Sequence, residues 1–192
     1  MLKNFSVKDT HLHPSTILTV ESITTAQSPQ DSSLFIGSMD NSAILLNSSS
    51  FESLSAFSGH VGAVTALCYS STHNVYITAS SDKSIQIWKD TKQIAVILGH
   101  NAQINRLLLT PEQDILFSAS SDNTIGVCPL ASLIHRFNSS EVQSPIFFTI
   151  QNYITTIAAP VRGISLLPDP SPDCHVIHLA ACSNDGFVSY FR

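Results

Sequence analysis

Three groupings of chemically capable side chains stand out in the 192 residues. His11 and His13, one residue apart, have the spacing of two metal ligands on one strand face. Nothing near them in sequence supplies a third ligand, and a zinc centre needs at least three protein groups. Cys174-His175 sets a thiol beside an imidazole, but it follows Pro168, Pro170 and Pro172 and reads as a solvated turn. On a strand the two would point to opposite faces. Asp82, Asp122 and Asp185 are carboxylates of the kind that acid–base catalysis uses. Each closes a similar tripeptide, Ser-Ser-Asp twice and Ser-Asn-Asp once, which marks them as structural anchors. Lys83 and Arg106 are isolated cations on a solvated face, and with 7 glycines there is no phosphate-cradling loop. The residues suggest no enzyme, no cofactor and no metal.

The anchors point to the elements that must carry them. Gly59-His60 recurs as Gly99-His100, and Ser80-Ser81-Asp82 as Ser120-Ser121-Asp122, both 40 residues downstream. One spacing kept by two different motifs marks a repeat, and its length is that of a propeller blade. Within one period, Val64 to Tyr69, Val75 to Ser80, Ser84 to Trp88 and Ile94 to Leu98 are short runs of β-branched and aromatic residues separated by polar turns. The fold class is all-β, with three to four four-stranded antiparallel units.

These motifs resemble the WD-repeat family of β-propellers, whose units carry a Gly-His pair, a Ser or Thr before a turn Asp, and a Trp-Asp pair. Here the last pair is Trp88-Lys89, so the Asp is absent. The resemblance implies a structural hydrogen-bonded chain of His60, Ser80, Asp82 and Trp88, with His100, Ser120 and Asp122 as its counterpart in the next unit. Cys128 stands at the Trp position there. It also implies partner-binding loops at one end of the blades, holding Met39 and Asn41, Ser81 and Lys83, Asn101 and Gln103, and Ser121 and Asn123. The expected function is a non-enzymatic scaffold or adaptor for protein–protein interactions within a multisubunit complex. Two further readings are a structural subunit of a ribonucleoprotein or transport complex, and an enzyme with a site in the axial funnel. For the last, Val64 to Tyr69 and Ile104 to Leu109 offer Arg106 and no carboxylate.

One domain over 1–192 divides into units at about 13–57, 58–98, 99–138 and 161–192, with an apolar insertion at 139–160. In the third unit Ser132 to Phe137 reads as the fourth strand, and Gln151-Asn152 as a hairpin turn inside the insertion. The last unit ends at its third strand, and the resemblance implies that Leu2 to Val7 closes it. The family's rings normally hold more blades, so a partial or truncated propeller is expected. An open arc would leave Phe35, Ile36, Phe147, Phe148 and Phe191 without neighbours and favour self-association or completion by a partner half-propeller.

Composition narrows the partners. Hydrophobic residues make up 43% and charged residues 12%, with 9 basic against 14 acidic side chains and a net charge of −5. That balance suits other proteins as partners and disfavours direct nucleic-acid binding or an acidic membrane surface. The four cysteines form no Cys-x-x-Cys pair and read as reduced. The N-terminal stretch lacks a signal-peptide core and no segment reaches membrane-span length, so the expected location is cytoplasmic or nuclear.

Overall fold

The computed structural model describes residues 13–24, 32–110, 114–139, 145–155, 157–167 and 176–192. The first sheet is a meander of β1 (Ile17–Thr24), β2 (Ser32–Ser38), β3 (Ser42–Asn47) and β4 (Ser53–Ser58). The second runs through β5 (Val64–Ser70), β6 (Val75–Ser80), β7 (Ile85–Lys89) and β8 (Lys92–Leu98). The third begins with β9 (Ile104–Leu109), β10 (Ile115–Ser120) and β11 (Ile125–Pro129). After it come α1 (Leu130–Asn138), β12 (Ile146–Thr149) and β13 (Asn152–Ile154). The last sheet is β14 (Val161–Leu167), β15 (His178–Ser183) and β16 (Val188–Phe191). The four sheets are blades, and their first strands stand side by side: β1 against β5, β5 against β9, β9 against β14. Among the described residues the arc does not close into a ring.

Each junction between blades is an apolar layer. Phe35, Leu45 and Phe57 of the first blade meet Val64, Leu67 and Trp88 of the second. Ile77, Ile87 and Ile97 of the second meet Ile104, Leu107 and Leu116 of the third. Phe117 and Ile125 of the third meet Val161, Ile164 and Leu179 of the fourth. Strand alternation sends one face of every blade to each neighbour, so an antiparallel meander becomes a stack of sheets.

Two irregularities recur in every blade. The first strand bulges one residue in, at Leu18, Thr65, Asn105 and Arg162, each skipped by the pairing to the second strand. A bulge re-aims the side chain it carries. The residue after the turn Asp is left-handed in all four: Asn41 (φ 72°), Lys83 (φ 74°), Asn123 (φ 70°) and Gly186 (φ 83°). Asn and Gly tolerate that conformation, whereas Lys83 adopts it at a steric cost.

The structure corrects three expectations. Ser132 to Phe137 is not a strand but lies within α1, where Leu130, Leu133 and Ile134 are buried and Phe137 packs against the same core. Their spacing is that of one helical face, and it prevails over the short strand-like run. The outer strand of the third blade is instead β13, paired with β11 through Gly126 and Tyr153. Gln151-Asn152 is not a hairpin turn, because the strands flanking it lie in different sheets. β12 adds in parallel to β8 as a fifth strand of the second blade, with Phe147 opposite Val96. Finally, Phe35 and Ile36 are buried, at 0% and 4% exposure. Phe35 makes edge contacts with Phe57 and Tyr76, both at 5.4 Å, inside the first junction. Phe147 is exposed, whereas Phe148 packs against the central core and Phe191 against the third. Leu2 to Val7, His11 and Cys174-His175 lie outside the described residues.

Candidate functional site

In the second blade a chain of hydrogen bonds runs from the blade interior to its end. Trp88 Nε1 donates to Thr78 Oγ1 at 2.9 Å, Thr78 Oγ1 lies 2.8 Å from His60 Nε2, and His60 Nδ1 lies 2.8 Å from Asp82 Oδ2. A carboxylate only accepts, so Nδ1 carries a proton toward Asp82, while Nε2 and the threonine hydroxyl share the next bond. Asp82 also takes the backbone N–H groups of Val61 and Ser84 and the Ser84 hydroxyl. Burial works to raise the Asp82 carboxyl, but the hydrogen bonds from His60 and Ser84 together outweigh it and hold it below the ordinary carboxylate range.

The hydroxyl in this chain belongs to Thr78, not to Ser80. Ser80 Oγ instead donates to Gly62 O at 2.8 Å and accepts the Asp82 N–H, which fixes the turn. Residues i and i+2 of a strand share a face, but only the deeper one comes between the imidazole and the indole. The third blade repeats the substitution: Ser118 Oγ, not Ser120, meets His100 Nε2 at 2.8 Å, and His100 Nδ1 meets Asp122 Oδ2 at 2.9 Å. Ser120 donates to Gln103 O and accepts from Asp122 N. Burial again works to raise Asp122, yet hydrogen bonds from Thr124, Asn101 and His100 lower it overall. Cys128 brings no N–H donor to this chain, and burial pushes its thiol up to about 11. Tyr153 of β13 stacks edge-on to His100 at 5.9 Å.

Among the described residues the other two blades lack the chain. The residue four before the turn Asp is Thr78 or Ser118 in the middle blades but Ile36 and Ala181 in the outer ones. His13 Nε2 stands 3.9 Å from Asp40, whose carboxyl takes the backbone and hydroxyl of Ser42.

The end of the blades that carries the turn aspartates also carries the loop residues singled out in the sequence. Met39 is 55% exposed, and Lys83 and Asn101 are exposed. Asn41, Lys83 and Asn123 hold the left-handed turn position, and the Asn101 backbone N–H donates to Asp122. Gln103 and Ser121 are drawn together by Asn105, which receives Gln103 Nε2 at 3.2 Å and donates to Ser121 Oγ at 2.9 Å. Asn123 Nδ2 reaches Ala158 O. The Ser81 backbone N–H donates to Ala63 O.

Sequence reasoning passed over the bulge residues. Thr65 Oγ1 donates to Ile104 O at 2.5 Å, and Asn105 Nδ2 to Val161 O at 2.6 Å, so each bulge ties its blade to the first residue of the next inner strand. Arg162 holds the same position in the fourth blade. Aligning the residue after Ile17, Val64, Ile104 and Val161 would have exposed the series.

At the opposite end, β1, β5 and β9 enclose a cavity of about 370 Å³ lined by Glu21, Cys68, Arg106 and Asp114 among others. β1 and the turn before β10 thus bring carboxylates beside Arg106 that β5 and β9 do not contain. Asp114 faces His73 at 3.2 Å. Burial, with Glu21 adding to it, pushes the Cys68 thiol up to about 12, so it stays protonated at neutral pH and is no nucleophile. Among the described residues no cluster of His, Cys, Asp and Glu has metal-site geometry, and no helix is long and apolar enough to cross a membrane.

The family model "WD domain, G-beta repeat" matches residues 51–89 and 91–127. Pre-mRNA-processing factor 19 of Oryza sativa subsp. japonica is 26% identical over 101 residues, covering 50% of this chain and 19% of its own length. Pre-mRNA-splicing factor cwf17 of Schizosaccharomyces pombe is 43% identical over 47 residues, covering 24% of this chain and 14% of its own length. UDP-galactose:fucoside alpha-3-galactosyltransferase of Dictyostelium discoideum is 42% identical over 50 residues, covering 26% of this chain and 8% of its own length. The chain therefore spans about a fifth or less of each of these relatives.

Proposed function

From a chain that belongs to the WD-repeat family, we propose a non-enzymatic scaffold that holds other proteins together in a multisubunit complex. One observation carries this reading: the histidines, hydroxyls and carboxylates of the repeat bond to one another inside the blades. A side chain fixed in such a network orders the fold and is not free to attack or protonate a substrate. What the repeat leaves to solvent is a row of turns at one end, each with different side chains, which suits recognition of several partners. The complex is one of pre-mRNA processing, and the location nuclear, on the strength of what the rice and fission-yeast relatives are named for. The galactosyltransferase likeness covers 8% of that enzyme and supports a shared repeat before it supports shared chemistry.

Affinity purification with mass spectrometry tests the reading, using wild-type, Met39→Asp/Lys83→Glu and Arg106→Glu baits. Stoichiometric partners lost from the loop variant and kept by the Arg106 variant are expected. Recovery of no partner, or of the same partners by the loop variant, argues against it. A glycosyl transfer by purified protein that one cavity substitution abolishes would replace it with an enzyme.

A further inference from the structure

We propose that Arg162 is the centre of a binding site for an oxyanion on a partner peptide, a carboxylate or a phosphoryl group. The proposal rests on the scaffold reading and names what one part of its surface binds.

The bulge at the start of each inner strand turns one side chain out of the ladder. In the middle blades that side chain is Thr65 or Asn105, and it bonds to the next blade. In the fourth blade it is a guanidinium, and its environment is of another kind. Arg162 Nε donates to Asn184 Oδ1 at 2.7 Å, and one Nη reaches Asn105 Oδ1 at 3.5 Å. Asn105 is itself pinned by Ser121 and Val161 O, so the arginine is oriented by a side chain that two other bonds hold in place.

Both of its acceptors are neutral. Every ion pair among the described residues involves histidine, and none includes Arg162. Carboxamides fix the direction of the guanidinium without cancelling its charge. Of its five N–H groups, two are engaged and three remain, both on Nη2 among them, to meet a carboxylate or phosphate. An exposed arginine normally loses rotamer freedom on binding; here that cost has been met by Asn184 and Asn105 before the ligand arrives. The turn aspartate of this blade, Asp185, follows Asn184, and its Oδ1 is taken up by the Ser183 hydroxyl and the Phe187 N–H, as the oxygens of Asp122 are by His100, Thr124 and the Asn101 N–H. A peptide fits better than a nucleic acid: with 9 basic and 14 acidic residues the chain has no surplus of positive charge to follow a phosphate backbone.

The test uses purified wild-type chain, Arg162→Gln and Arg162→Lys, titrated into short fluorescein-labelled peptides that differ in one central pair: Glu-Glu, phosphoserine-Ala or Lys-Lys. A uridine oligonucleotide is the fourth probe. Saturable anisotropy with the Glu or phosphoserine peptide, weakened about tenfold by Arg162→Gln and in part by Arg162→Lys, is expected for the loss of a charge-assisted pair. The stronger of the two anionic peptides identifies the source of the oxyanion. Absence of saturation with both, equal binding by the Gln variant, or binding of the oligonucleotide alone overturns the proposal. The melting temperature separates it from a bracing role: Asn105→Ala should lower it and Arg162→Gln leave it unchanged, and an equal fall in both would make Arg162 a brace. Partners recovered by wild-type and Arg162→Gln baits alike would remove the anion site while leaving the scaffold reading in place.

Discussion

At the level of single residues, the two middle blades show why one hydroxyl matters more than its neighbours. Thr78 receives the Trp88 N–H and serves the His60 ring, so Thr78→Val, of nearly equal volume, strands two buried polar atoms at once. We expect it to cost about 2 to 6 kcal/mol, since each unsatisfied group costs about 1 to 3. Ser118→Ala strands only the His100 ring nitrogen and should cost less; equal losses by chemical denaturation would contradict the chain of bonds described above. The pH dependence follows from the carboxylates. Asp82 and Asp122 have pKa values lowered by folding, so the stability they lend is complete above the ordinary range near 4 and is lost as the pH falls through their folded values. The thermal midpoint should therefore drop below about pH 4, and Asp82→Asn with Asp122→Asn should flatten that drop while lowering the midpoint at neutral pH. An acid slope unchanged in the double variant would show that other groups carry it. The sequence made the histidines and aspartates legible because they repeat at a fixed spacing. Thr78 and Ser118 also repeat at that spacing, but Ser80 and Ser120 lie beside the motif and drew the assignment.

Among the elements, strands with alternating burial were readable and the segment after Pro129 was not. Both a strand and a helix can be drawn through Ser132 to Phe137 until one asks which residues reach the core. The helix brings Leu130 and Leu133 to full burial, and Arg136 suits its last turn by its charge. Parallel addition of β12 to β8 depends on contacts far apart in sequence, to which local pattern is blind. We expect Leu133→Ala to cost about 2 to 5 kcal/mol, as for other fully buried leucines, whereas Phe147→Ala, at a site 67% exposed, should cost little. Helical Cα chemical shifts across residues 130–138 would accompany this. Extended shifts there, with a large loss at Phe147 and none at Leu133, would restore the strand.

For the whole molecule, the unclosed arc sets the behaviour. The fourth blade turns Val188 and Tyr190 away from the third, at 75% and 56% exposure, and the first blade leaves Leu18 and Val20 at 44% and 58%. Apolar sheet faces of this kind favour association at roughly 25 cal/mol per Å² buried. The purified chain should therefore run in light scattering at a multiple of 20.8 kDa, and a single species at 20.8 kDa would count against association through these faces. Partners are expected to bind at the turn end of the blades and not at the cavity end. Hydrogen–deuterium exchange of the chain with a partner recovered by affinity purification addresses it directly. Protection is predicted at the turn end, over residues 39–41, 81–83, 101–105, 121–123 and 162, with little change around Glu21, Cys68 and Asp114. Protection confined to that cavity end, with the turn end exchanging as in the free chain, would contradict binding at the turns.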